Sequence, residues 1–122
     1  MSVQRLSFAA LKKILEGKLK EKATCVVKFY SGSCRYCHAL KDYYEDISHQ
    51  YEDVYFFAFN TEDSSELDNY VKIDGVPSVA LIRYNGHHKP TIRILEDPQE
   101  PNEHTWYRST DITNFIERYK NG

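Results

Sequence analysis

Two thiols three positions apart, in Cys34-Arg35-Tyr36-Cys37, are the residues of this chain best suited to chemistry. They follow the apolar run Cys25-Val26-Val27-Lys28-Phe29-Tyr30 and precede a helix-forming segment. A strand that runs into the N-terminus of a helix leaves backbone N–H groups unpaired, and these favour a negative charge such as a thiolate. Cys34 is therefore expected to be the nucleophile. Cys37, one turn further along the same helix, is close enough to close a disulfide with it. Thiol and disulfide exchange needs a thiolate to attack and a second thiol to break the mixed disulfide, and two cysteines on one helical turn supply both.

The same residues admit other chemistry. Cys34-Arg35-Tyr36-Cys37-His38 matches C-x-x-C-H, the attachment motif of c-type haem. Met1 is the only methionine, and the motif sits inside an alternating strand and helix pattern, so haem ranks low. A closed zinc site needs four ligands, and one CxxC with a scattered histidine falls short, so no metal is expected. Cys25 lies within a strand and reads as a small buried hydrophobe, with a regulatory thiol as its functional alternative. His38 reads as a surface residue of the helix, and His87 and His88 as part of a solvated turn.

The elements that must position the cysteines alternate along the chain. Phe8, Leu11, Ile14 and Leu15 recur at helical spacing, with Ser7 placed to cap and Gly17 near the end. Cys25 to Tyr30 reads as the first strand. Leu40, Tyr43, Tyr44, Ile47 and Tyr51 mark one face of a helix about four turns long. Val54 to Phe59 is an unbroken apolar run, as expected of a central strand buried on both faces. Glu62 to Ile73 reads as a helix with Leu67, Tyr70 and Val71 as its apolar positions, ended by Asp74-Gly75. Ser78 to Tyr84 and Thr91 to Leu95 read as strands joined through Asn85-Gly86. A last helix carries Ile112, Phe115, Ile116 and Tyr119 on one face, with Ser109 or Thr110 as its cap.

With 122 residues, the chain has the size of one ordinary domain, so a single domain spanning 1–122 is expected. Sixteen Lys and Arg against eighteen Asp and Glu give a net charge of -2. That balance directs the protein to neither nucleic acid nor an anionic membrane. Met1 to Ala23 is amphipathic, its apolar runs interrupted by Lys12, Lys13, Lys18, Lys20 and Lys22, and it reads as no export signal. Three cysteines are too few for a disulfide-stapled scaffold, so a reducing, cytoplasmic setting fits, although a chain trimmed of its signal peptide would read the same.

The order of elements, the CxxC position and Gly75-Val76-Pro77-Ser78 at the start of a later strand together resemble thioredoxins and the catalytic domains of protein disulfide isomerases. Phe29-Tyr30 before the cysteines and Asn85-Gly86 in the later turn are similar to that family too, over about Lys12 to Tyr119. The resemblance implies an α/β thioredoxin-like three-layer fold, a central mixed β-sheet flanked by helices. It implies that Cys34 attacks substrate disulfides, that Cys37 resolves the mixed disulfide, and that a cis Pro77 lies beside Cys34. Val76 would then offer its backbone to an extended substrate, with Arg35 and Tyr36 also at the substrate groove. No cofactor is implied beyond a redox-active Cys34–Cys37 disulfide. The implied partners are protein disulfides and a thiol or flavoprotein reductant, with the chain acting as a monomer.

The departures from the family pattern bear on substrate and potential. Ser33 stands where the family usually has Trp, so the flat apolar surface beside the site is missing or comes from Tyr30, Tyr36 or Trp106. Lys28 stands where the family usually has a buried Asp or Glu. Its plain reading is a lysine that snorkels to solvent. Its functional reading is a charge that, with Arg35, stabilises thiolate and makes the protein more oxidising than ordinary thioredoxins. Tyr36 also resembles the glutaredoxin motif, but the double-glycine glutathione signature is absent. Glu96 to Tyr107 is longer than the family's usual link; its plain reading is an elaborated loop, and its sharper reading is that Trp106 and Tyr107 extend the substrate or partner surface. A thioredoxin-fold binding module without redox turnover is the alternative to an enzyme.

Overall fold

A computed structural model describes residues 2–121. The chain runs through β1 (Val3–Arg5), α1 (Phe8–Leu15), β2 (Ala23–Tyr30), α2 (Arg35–Ser48), β3 (Tyr55–Asn60), β4 (Ser78–Tyr84), β5 (Thr91–Ile94) and α3 (Ser109–Tyr119). The five strands form one sheet in the order β1-β3-β2-β4-β5. β1, β3 and β2 pair parallel, β4 runs antiparallel to β2, and β5 antiparallel to β4. The sheet is therefore mixed, with β2 at its centre and leading directly into α2.

Period-two alternation along β2 divides the core into two layers. Val26 packs with Leu40, Tyr44 and Ile47 of α2 and Ile112, Phe115 and Ile116 of α3. Cys25, Val27 and Phe29 pack on the other side with Leu11 and Ile14 of α1. Helices thus cover both faces of the sheet in an α/β three-layer arrangement. Lys28 has the parity of Val26, so the alternation sends it toward α2.

Local chemistry sets the ends of α1. The Ser7 hydroxyl accepts from Ala10 N–H at 3.1 Å. At the other end Gly17, at φ 70°, donates its N–H to the Ile14 carbonyl while Lys18 N–H donates to that of Lys13. That pair of bonds satisfies two of the carbonyls a helix end leaves open.

Several expectations need correction. The segment expected as a helix over Glu62 to Ile73 contains only two short 3₁₀ turns, Thr61–Asp63 and Leu67–Asn69. The Asn60 side chain accepts from Glu62 N–H and the Ser64 hydroxyl from Glu66 N–H, so short polar side chains satisfy local N–H groups and the backbone turns instead of continuing. Strand β1 was not anticipated, since Val3-Gln4-Arg5 has no apolar run and is held by pairing with Phe56, Phe57 and Ala58. β3 is not buried on both faces along its length: Tyr55 is exposed. The cap of α3 is Arg108, not Ser109 or Thr110. Its N–H donates to the Asp111 carboxylate at 2.9 Å, the reach-back contact of a capping box.

Candidate active site

Cys34 is the N-cap of α2, with extended backbone at φ -83° and ψ 108°. Its Sγ accepts from the Cys37 N–H at 3.1 Å, and the two cysteines are joined as a disulfide with their Cα atoms 5.2 Å apart. The sulfur thus occupies the position where unpaired N–H groups stabilise negative charge. Burial separates the two thiols: Cys37 is 4% exposed, whereas Cys34 is only partly buried. An incoming sulfur reaches Cys34 first.

The loop between β2 and α2 is fixed from several sides. Gly32 N–H donates to Glu62 Oε1 at 2.7 Å, and His38 Nε2–H donates to the Gly32 carbonyl at 3.0 Å. The Thr61 hydroxyl donates to the Tyr30 carbonyl at 3.2 Å. His38 is exposed, as expected, yet it also clamps the turn before the cysteines.

β4 brings the proline loop to the same end of the sheet. Ser78 pairs with Phe29, so Pro77 stands one register step beyond, level with Tyr30 and the start of the cysteine loop. The Val76–Pro77 peptide is cis. The Ser78 hydroxyl donates to the Gly75 carbonyl, and Ser31, Gly75 and Val76 line one shallow cavity of about 440 Å³.

Lys28 does not snorkel to solvent: it is 5% exposed. Its ammonium lies 5.1 Å from the Tyr44 ring centre and 5.8 Å from that of Tyr30, and these ring faces partly compensate its lost hydration. It lines a cavity of about 310 Å³ together with Cys37, His38, Lys41, Glu45 and Arg5. Burial, reinforced by the charge of Lys41 and opposed by Glu45, lowers its pKa to about 8. Arg5 is held outward by Asp63 at 3.0 Å. Lys41, Tyr44 and Glu45 were not singled out as neighbours of the thiols, although their helical spacing from Cys37 places all of them toward one side of α2.

The remaining aromatic expectations split. Trp106 stacks edge-on against Tyr36 with ring centres 5.5 Å apart, while Arg35 lies over Tyr36 at 5.4 Å. Tyr107 was expected at a surface but is fully buried in the core between the sheet, α2 and α3. The apolar character of its ring decides its place, and its hydroxyl has no hydrogen-bond partner among the described residues. Cys25 is a free, buried thiol whose pKa burial pushes up to about 11, which makes it a poor nucleophile. Among the described residues no three His, Cys, Asp or Glu side chains cluster as a metal site, and no helix is long and apolar enough to cross a membrane.

Comparison with known proteins places this arrangement. The family model described as Thioredoxin matches residues 7–93. No curated protein matches the chain. Among solved structures, chloroplastic thioredoxin z is 15% identical, with 100% of this chain and 97% of that chain covered and a TM-score of 0.69. A structure of the complex of ferredoxin:thioredoxin reductase and thioredoxin f2 matches at 18% identity, 98% and 96% coverage and a TM-score of 0.71. Mitochondrial thioredoxin 3 from Saccharomyces cerevisiae in its oxidised form matches at 15% identity, 95% and 94% coverage and a TM-score of 0.68.

Proposed function

The chain belongs to the thioredoxin family, and from that premise we propose that it is a dithiol and disulfide oxidoreductase acting through Cys34 and Cys37. The observation that carries the reading is the placement of Cys34 at the N-cap of α2, disulfide-bonded to a buried Cys37.

In the reducing direction the Cys34 thiolate attacks one sulfur of a substrate disulfide. The Cys34–substrate bond forms, the substrate bond breaks, and the other substrate sulfur leaves as a thiolate that takes up a proton. Cys37 loses its proton and attacks Cys34 Sγ, forming the Cys34–Cys37 disulfide and releasing the second substrate thiol. Two electrons pass from the dithiol to the substrate, and no cofactor takes part. A thiol or flavoprotein reductant then returns the pair to the dithiol; the solved complex of a structurally similar thioredoxin with ferredoxin:thioredoxin reductase supports a reductant partner in general.

Val76 and Pro77 flank the cysteine loop and offer an extended substrate a place to align, with Arg35 and Tyr36 as the other wall. Lys28 tunes the thiols: a cation in the cavity that Cys37 lines favours the thiolate over the thiol. Thiolate stabilisation favours the dithiol, so the pair is more oxidising than that of ordinary thioredoxins. The protein acts as a monomer in the cytoplasm. Reduction of insulin disulfides by the wild type, lost in Cys34→Ser while partner binding persists, tests the reading; an inactive wild type indicates a binding module instead.

A further inference from the structure

Trp106 is held in a conformation that its own backbone disfavours. It is the only described residue other than glycine with positive φ, at 66°. A side chain at such a position is strained, and strain of this kind persists only where surrounding structure enforces it. Here the enforcement is visible. Asn102 and Trp106 exchange both backbone hydrogen bonds at 2.9 Å, and Trp106 Nε1–H donates to Asp97 at 3.1 Å. The residues on either side, Thr105 and Tyr107, are buried, and the Thr105 hydroxyl donates to the Tyr107 carbonyl at 2.7 Å.

Glycine would satisfy that backbone without strain, so the indole is not there to make the turn. Its ring stands edge-on to Tyr36, between the two redox cysteines, and is itself only half-buried. The loop lies beyond residues 7–93, the stretch covered by the family model, so family membership assigns it no role.

We propose that Trp106 is a specificity-determining residue that, with Tyr36, forms a fixed aromatic wall for the polypeptide carrying the substrate disulfide. The inference rests on the oxidoreductase reading, because the wall is continuous with the Cys34–Cys37 pair and its occupant is the chain that reacts there. The wall receives an apolar side chain next to the substrate cysteine. A rigid aromatic face gives a large contact area at small entropic cost. Small disulfides have no such side chain and do not use it.

Two measurements test this. Trp106→Gly removes the indole and relieves the positive φ, but it also removes the ring's packing against the core, so the fold of the variant is checked by circular dichroism. For this variant the ratio of kcat/KM on insulin to kcat/KM on hydroxyethyl disulfide falls about tenfold, through KM for insulin, and Trp106→Phe recovers most of it. An unchanged ratio, or an equal loss on both substrates in a folded variant, overturns the proposal. Trp106 is the sole tryptophan, so its emission reports this place alone. In Cys37→Ser, a trapped mixed disulfide with a cysteine peptide bearing a neighbouring Leu shifts the emission, and the hydroxyethyl adduct does not; identical spectra overturn the wall. A wild type inactive on both disulfides overturns the oxidoreductase reading and this inference with it.

Discussion

The Lys28 ammonium stands 5.1 Å from the centre of the Tyr44 ring, in the wall of the cavity that Cys37 also lines. A cation that is 5% exposed and has two aromatic faces beside it is costly to the fold and close to the chemistry. The consequences for stability and for redox poise can be measured separately.

Stability should carry the signature of this lysine. Its pKa falls from 10.5 to about 8, so between those values the unfolded chain binds the proton that the folded one has released. Stability due to Lys28 therefore rises with pH across that window, and its burial penalty is largest below about pH 8. Cys25, raised from 9.0 to about 11, acts in the opposite sense above pH 9, which is why the comparison must be between proteins and not between pH values alone. Lys28→Met is expected to stabilise the fold by about 1–3 kcal/mol at neutral pH, with a smaller gain at higher pH. Urea unfolding of both proteins at neutral and at alkaline pH checks this; equal stabilities throughout contradict it.

The redox potential should follow the same charge. The wild-type pair is expected above the thioredoxin value of about -270 mV, and Lys28→Met should lower it by on the order of 30 mV as the thiolate loses its cation. Arg35→Met, at an exposed position, should move it less. Equilibration with glutathione gives all three values, and a wild type at or below the thioredoxin end rules out the tuning role.

Gly17 offers a test of the fold away from the site. It sits at φ 70°, and an added Cβ would meet Pro90 Cδ at 3.3 Å. Gly17→Ala is expected to cost about 1–2 kcal/mol by strain at the helix terminus while leaving the redox potential in place. A denaturation midpoint equal to wild type would contradict this.

What was readable in the chain was what local chemistry dictates. The CxxC, the strand before it, Ser7 as a cap and the strand Ser78–Tyr84 all follow from patterns within a few residues. Their order, together with Gly75-Val76-Pro77-Ser78, carries the resemblance to thioredoxins that implied the family and the three-layer fold. Three misses, β1, Tyr107 and Lys28, share one cause, which is that distant partners decided them. β1 exists only because β3 offers it an edge, and Tyr107 turns inward because α2, α3 and the sheet leave space for its ring. Lys28 is buried because the alternation of β2 points it at α2, where the rings of Tyr30 and Tyr44 receive it. The 3₁₀ turns after β3 reflect a competition between short polar side chains and a helix that apolar spacing alone does not reveal.

Trapping the first step tests the central claim most directly. On the proposed mechanism the partly buried Cys34 attacks and the buried Cys37 resolves, so Cys37→Ser should accumulate a mixed disulfide between Cys34 and a reducible protein substrate, seen by mass spectrometry. Cys34→Ser should accumulate none and reduce no insulin. A mixed disulfide on Cys37 in place of Cys34, or insulin reduction that survives Cys34→Ser, would contradict the account.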